Sequence, residues 1–178
     1  MMIKIECCSA MNYFLETQRL GLREFTRDDA AFIVELLNTP AWLQFIGDRN
    51  VKTKEQAITY LENGPIKSYK ENGFGLWKVE LKENKTPIGM CGILKRENLE
   101  DPDIGFAFLP QYFGKGYGFE VASATLSYGR EKLGIEKILA ITIPGNEKSI
   151  RLLEKIGLSF KENISATAEG EQLLLYST

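Results

Sequence analysis

Gln111-Tyr-Phe-Gly-Lys-Gly-Tyr-Gly118 is the stretch that decides the fold. Before it stands a run that reads as a strand, Asp103-Ile-Gly-Phe-Ala-Phe-Leu109, and after it a long helical run from Tyr117 to Leu133. Pro110 stops the strand, having no N–H to give to a sheet. The later run lacks proline and keeps Gly118, Ala122, Leu126, Gly129 and Leu133 on one helical face. Three alternating glycines leave the backbone N–H groups of Gly114 to Gly118 uncovered, and the unpaired first-turn donors of the helix join them. Strand, glycine loop and helix N-terminus in that order form a cradle for phosphate or pyrophosphate.

Two common phosphate loops do not fit. A P-loop needs Gly-Lys followed by Ser or Thr to hold magnesium, and Lys115 is followed by Gly116. A dinucleotide fingerprint needs its third glycine where Phe119 stands. From the residues alone, the other reading is a turn that only redirects the chain.

A second segment, Asn146-Glu-Lys-Ser149-Ile-Arg-Leu152-Leu153-Glu-Lys-Ile156-Gly157, reads as a short capped helix. Asn146 is a favoured N-cap, Glu147 suits the positive end of the helix dipole, and Gly157 suits the left-handed residue that ends it. Leu152, Leu153 and Ile156 form its apolar stripe, and Ser149 lies on that stripe one turn earlier. The β-branched strand Lys137 to Ile143 precedes it and ends at Pro144-Gly145.

These two segments resemble the two cofactor motifs of the GNAT acetyltransferases. Gln-x-x-Gly-x-Gly-x-Gly is similar to that family's acyl-CoA pyrophosphate loop, and Asn-x-x-Ser-x-x-Leu-Leu-Glu-Lys-x-Gly-Leu-x-Phe to its later helix. Thr17-Gln-Arg-Leu-Gly-Leu-Arg23, followed by Thr26-Arg-Asp-Asp29, resembles the opening of the ribosomal-protein N-terminal acetyltransferase branch. Residues 17 to 178 are thus expected to form one domain of that family. Residues 1–16 are an extension of uncertain kind: an added edge strand, a disordered tail, or an upstream start before Met11.

Composition agrees with a single enzyme-sized domain. The chain has 178 residues, 44% of them hydrophobic, enough for one substantial core. It has no histidine, which removes histidine-based triads and the common metal sites, and no metal is expected. Cys7, Cys8 and Cys91 have no zinc spacing, and a reducing, cytoplasmic location is the default. A net charge of −2 with scattered Lys and Arg argues against nucleic acid, and no apolar run approaches a membrane span. A monomer or a homodimer is expected.

The remaining elements follow from local signals. A strand is expected over Leu20–Glu24, a helix from the Thr26 cap to Leu37, and a helical turn over Ala41–Ile46. Thr53-Lys-Glu-Gln56 is a capping box opening a helix toward Tyr69, which Pro65 should bend or split. Gly75–Leu81 and Ile88–Lys95 read as a hairpin, and Leu158–Ile164 with Gln172–Ser177 as a closing pair. The fold class is α/β: a mixed, mostly antiparallel sheet of about seven strands flanked by helices, with a central acyl-CoA cleft.

The resemblance implies transfer of an acetyl group from acetyl-CoA to a primary amine, either a protein N-terminal α-amine or a small molecule. It implies a bulged strand before the loop that pairs with the pantetheine arm through Phe108 and Leu109. Gln111, Gly114, Lys115, Gly116, Tyr117 and Gly118 would hold the pyrophosphate, with Asn146 and Ser149 at the second motif. Many relatives place a tyrosine, which protonates the leaving thiolate, where this chain has Leu153; in the ribosomal-protein branch Ser149 takes that role. A hydroxyl at that position could instead back-bond in the first turn of its own helix. Asp103 is the candidate base, with Asp101 as substitute; the alternative for Asp103 is a solvated strand-end carboxylate. Trp42, Phe45 and Trp77 are the substrate-lining candidates among the aromatics of the first helices and the hairpin. The competing function is an acyl-CoA-binding or sensing module without catalysis.

Overall fold

The computed structural model describes residues 13–165 and 172–178; of the N-terminal extension, residues 1–12 lie outside the described part. One eight-stranded sheet runs through the molecule in the order β1-β2-β3-β4-β5-β6-β8-β7. Its strands are β1 (Leu15–Glu16), β2 (Leu20–Arg23), β3 (Leu76–Leu81), β4 (Pro87–Leu94), β5 (Asp103–Phe108), β6 (Leu139–Thr142), β7 (Ser159–Ser165) and β8 (Gln172–Ser177). The strand beyond the expected seven is β1, a two-residue edge pairing with β2 from within the extension. Every pairing is antiparallel except that of β5 with β6.

On one face lie α1 (Ala30–Leu37), α2 (Pro40–Phe45), α3 (Lys54–Leu61) and α4 (Lys67–Asn72). Thr53 and Gln56 open α3 with the reciprocal bonds of a capping box, Gln56 N–H to Thr53 Oγ1 at 3.3 Å and Thr53 N–H to Gln56 Oε1 at 3.0 Å. Pro65 does not end the helical path. It is absorbed by a wider turn over Glu62–Ile66, in which the missing N–H and the ring cause no break, and α4 continues beyond it.

The other face carries α5 (Tyr117–Glu131) and α6 (Glu147–Lys155). Alternation along the strands divides the core accordingly. Leu22, Trp77, Val79, Cys91, Ile93 and Ile104 pack with Val121, Ala122 and Leu126 of α5. Met90 and Leu109 pack with Ile33, Ala57 and Leu61 of α1 and α3. Close seating of α5 depends on Gly129, where an added methyl would stand 2.5 Å from Ile93 Cδ1.

Candidate active site

The site begins where β5 and β6 separate. Their register holds a single pair, Asp103 with Leu139, fixed by the Leu139 N–H donating to Pro102 O at 2.8 Å. Beyond that pair the parallel strands part. In an antiparallel ladder, alternate residues point their N–H and C=O toward the same neighbour. Leu109 N–H donates to Ile88 O at 2.9 Å, so residues 109, 107, 105 and 103 bond toward β4. Ile104, Phe106 and Phe108 therefore point their backbone groups toward β6. By the same alternation from the Thr178 N–H bond to Ile138 O, 3.0 Å, Ile141 points its groups back toward β5. The result is a cleft walled by Phe106 and Phe108 on one side and Ile141 on the other.

This geometry corrects two details of the expected cofactor strand. The ladder from Asp103 to Phe108 runs against Leu94 to Gly89 without a register shift, so β5 has no bulge there. Inward-facing N–H groups arise from alternation instead. Leu109 does not offer its backbone: its N–H is bound to Ile88 and its carbonyl accepts from Tyr112 N–H at 3.0 Å. Phe106, two residues before Phe108, turns its backbone groups to the cleft instead.

The glycine loop stands at the open end of the cleft. Gly114 and Gly116 have φ of 72° and 80°, left-handed values that alternate with ordinary ones and turn successive N–H groups to one side. The first hydrogen bond of α5 is Glu120 N–H to Gly116 O at 3.1 Å. Among the described residues, no protein acceptor meets the N–H groups from Gly114 to Phe119. Gln111 lies in the short turn Pro110–Tyr112 that leads into the loop, and Lys115 projects over the Tyr112 ring at 5.3 Å. A methyl group added at Gly118 would stand 3.1 Å from Leu152 and 3.6 Å from the Phe108 ring, so the start of α5, the end of β5 and α6 converge.

The loop is braced by Thr17 and Arg19 of the opening motif together with Glu120 of α5, which no motif marked. Glu120 accepts Thr17 Oγ1–H at 2.6 Å, Arg19 N–H at 2.8 Å and Arg19 Nε–H at 2.7 Å. Arg19 also donates to Lys115 O at 3.0 Å and lies over the Tyr117 ring, 4.4 Å from its centre. Partial burial pushes the Glu120 carboxyl up, but the hydrogen bonds from Thr17 and Arg19 outweigh it and hold the group below its usual value.

Asn146 caps α6, its Oδ1 accepting Ser149 N–H at 3.2 Å. Ser149 is half-buried, and among the described residues its hydroxyl makes neither a back-bond nor another protein hydrogen bond. Leu153 is 1% exposed and belongs to the core beneath α6.

The carboxylates and the tryptophans sit differently from the sequence expectation. Asp103 is 1% exposed, and both its oxygens accept from Arg96 Nε, at 2.9 and 3.1 Å. Its side chain is on the face opposite Phe106 and Phe108, so it neither lies solvated nor faces the cleft as a base. Burial raises its pKa, with the Arg96 guanidinium acting against that rise. Asp101 is bound to Lys137 at 2.8 Å. Trp42 is buried with α1 and α3, its Nε1–H donating to Gly47 O at 3.1 Å, whereas Trp77 is buried on the α5 face between Phe14 and Tyr128. The two tryptophans thus cannot line one pocket. Phe45 is half-buried at the end of α2, before the loop that leads to α3.

A cavity of about 440 Å³ opens between that loop and α3, lined by Arg49, Asn50, Gln56, Thr59, Tyr60 and Asn63 among others. Burial pushes the Tyr60 phenol up, and the nearby cations of Arg49 and Arg96 pull against it. Val51 and Tyr60 of its wall pack in the same cluster as Leu109, the residue that follows β5.

A parallel strand pair split open beside a glycine cradle defines an acyl-CoA transferase class of site, and the known relatives agree. The sequence profile of the Acetyltransferase (GNAT) domain matches residues 19–159. The uncharacterized N-acetyltransferase YoaA of Bacillus subtilis is 32% identical over 151 residues, covering 84% of each chain. The crystal structure of a GNAT-family acetyltransferase from Bacillus anthracis superposes with a TM-score of 0.76 at 25% identity, covering 92% of this chain and 96% of the other. A ribosomal-protein-S5-alanine acetyltransferase from Vibrio fischeri superposes at 0.77 over 92% and 94%, but at 21% identity it shares the fold alone. The chain belongs to the GNAT acetyltransferase family. It is an acetyl-CoA-dependent acetyltransferase, and acetyl-CoA, the acetyl donor, is a cosubstrate of that family.

Proposed function

We propose that this enzyme acetylates a primary amine by direct attack within a ternary complex, with the α-amine of a protein or peptide as acceptor. The observation that carries this reading is the unpaired β5 edge leading from the N–H cradle toward α6. Acetyl-CoA supplies a thioester carbonyl. The pyrophosphate fits the N–H groups of Gly114 to Gly118, with Gln111, Lys115 and Tyr117 around it, and the pantetheine amides fit the open backbone of Phe106 and Phe108.

The amine lone pair attacks the carbonyl carbon, and an inward N–H of β5 donates to the oxyanion as it forms. Collapse breaks the C–S bond, the Ser149 hydroxyl donates to the departing sulfur, and the proton of the attacking nitrogen passes to solvent. A thiol with an unperturbed pKa of about 8.5 needs only modest help to leave. An α-amine, with a pKa of about 8, is neutral often enough near pH 7 to attack without a strong base. That suits a site whose carboxylate, Asp103, is buried against Arg96. Asp103 is then a positioning residue that anchors the point where β5 and β6 meet. Placement in the ribosomal-protein branch rests on the Thr17-Gln-Arg19 opening and on Ser149.

Release of CoA thiol from acetyl-CoA in the presence of peptide, polyamine and aminoglycoside acceptors tests the reading. Wild type is expected to consume a peptide α-amine. Gly116→Val is expected to weaken acetyl-CoA binding by about tenfold or more while the protein stays folded, because valine is strained at positive φ and covers the cradle. Unchanged acetyl-CoA affinity in that variant would remove the basis of the proposal.

A further inference from the structure

The cavity beside α3 has a chemical bias that the acetyl-transfer reading does not use. Arg19, Arg23, Arg27, Arg96 and Arg151 each hold a carboxylate. Arg49, exposed at the cavity wall, has no such partner among the described residues. Tyr60 is half-buried there, and its hydroxyl likewise has no protein partner among the described residues. Asn50, Gln56 and Asn63 add amide groups, and Gln56 uses its Oε1 for the Lys52 and Thr53 N–H groups while its Nε2 has no protein partner among the described residues. None of the described lining residues is an acid.

A wall with one unpaired guanidinium, a free phenol, side-chain amides and no carboxylate repels a polycation and binds an anion. Guanidinium is the side chain best matched to a carboxylate, which it takes through two parallel N–H bonds. A volume of about 440 Å³ holds an amino acid or the first residues of a peptide but little more. Val51 and Tyr60 of the cavity wall pack in one cluster with Leu109 and Tyr112, which follow Phe108 at the end of β5 beside the cleft.

We infer that this cavity selects an amine that carries a carboxylate, an amino acid or short acidic peptide, with Arg49 and Tyr60 gripping the acid group while the amine reaches the cleft. The inference rests on the acetyl-transfer reading and narrows its substrate class. Arg49 and Tyr60 are specificity residues in this scheme, and the reaction itself needs neither.

Three acceptors with matched or opposed charge test it: alanyl-glutamate, alanyl-glutamine amide and spermidine, each with saturating acetyl-CoA. Wild type is expected to use alanyl-glutamate with a kcat/KM about tenfold or more above the uncharged dipeptide, mainly through KM, with spermidine poorest. Arg49→Glu should abolish the preference, Arg49→Gln should reduce it, and Tyr60→Phe should lower it without changing affinity for acetyl-CoA. A wild type that treats the two dipeptides alike, prefers spermidine, or acetylates none of the three while binding acetyl-CoA overturns the inference. Retention of the preference in Arg49→Glu also overturns it. Loss of acetyl-CoA binding by the wild type would instead overturn the acetyl-transfer reading.

Discussion

Arg19 and Glu120 stand 101 residues apart in the chain and meet through two bonds, Arg19 N–H and Nε–H to opposite oxygens of one carboxylate, at 2.8 and 2.7 Å. The same guanidinium holds Lys115 O, so the turn before β2 fixes the shape of a loop it does not belong to. Arg19→Ala is expected to raise the Kd for acetyl-CoA about five- to tenfold, near 1 kcal/mol, by loosening the loop. Glu120→Ala should cost a similar amount, and the double variant little more than either, because both remove one linkage. Additive losses, measured by calorimetric titration, would show that the residues act separately.

Ser149→Ala should lower kcat about tenfold or more and leave the Kd for acetyl-CoA within about twofold, because the hydroxyl meets charge that develops only as sulfur leaves. A rate within about twofold of wild type would mean that the thiolate departs to water or to a backbone donor.

Asp103→Asn separates proton transfer from positioning. With Asp103 buried against Arg96, the expected result is a stability loss of about 2 kcal/mol and the same fractional rate loss from about pH 6.5 to 9.5 for a peptide and for spermidine. Rescue at high pH, larger for spermidine, would instead make Asp103 the proton acceptor.

Asp29 gives a stability prediction in acid. Burial alone would raise its pKa, but hydrogen bonds from Arg23 and Lys78 and the backbone bond from Thr26 prevail and bring it to about 2, below the ordinary 3.8. Because the folded-state value is the lower one, its stabilisation is complete above about pH 4 and is lost as pH falls toward 2. Asp29→Asn should therefore destabilise by about 3 kcal/mol at pH 7, leaving the buried Arg23 and Lys78 poorly paired. The gap between variant and wild type in urea unfolding should shrink between pH 4 and 2. A constant gap across that range would show that Asp29 acts through packing alone.

The sequence by itself determined the features that depend on neighbours a few residues apart. The Gly114–Gly118 loop, the Asn146 cap, the Thr53–Gln56 capping box and the alternating hairpin strands were all legible, because glycine freedom, side-chain capping and periodicity act locally. The family resemblance was legible for the same reason, since its motifs are continuous stretches. Tertiary structure alone decided what depends on which strand lies beside which. One parallel pair, Asp103 with Leu139, sets where the cleft opens and makes Phe106 rather than Leu109 its wall. Pairing and face also put Trp42 and Trp77 on opposite sides of the sheet, buried Asp103 against Arg96, and left Arg49 and Tyr60 on one cavity without a partner among the described residues. Spacing in the chain carries no signal for these, because a strand can be traded for another neighbour without changing its own pattern, while every polar group it exposes or satisfies changes with that neighbour.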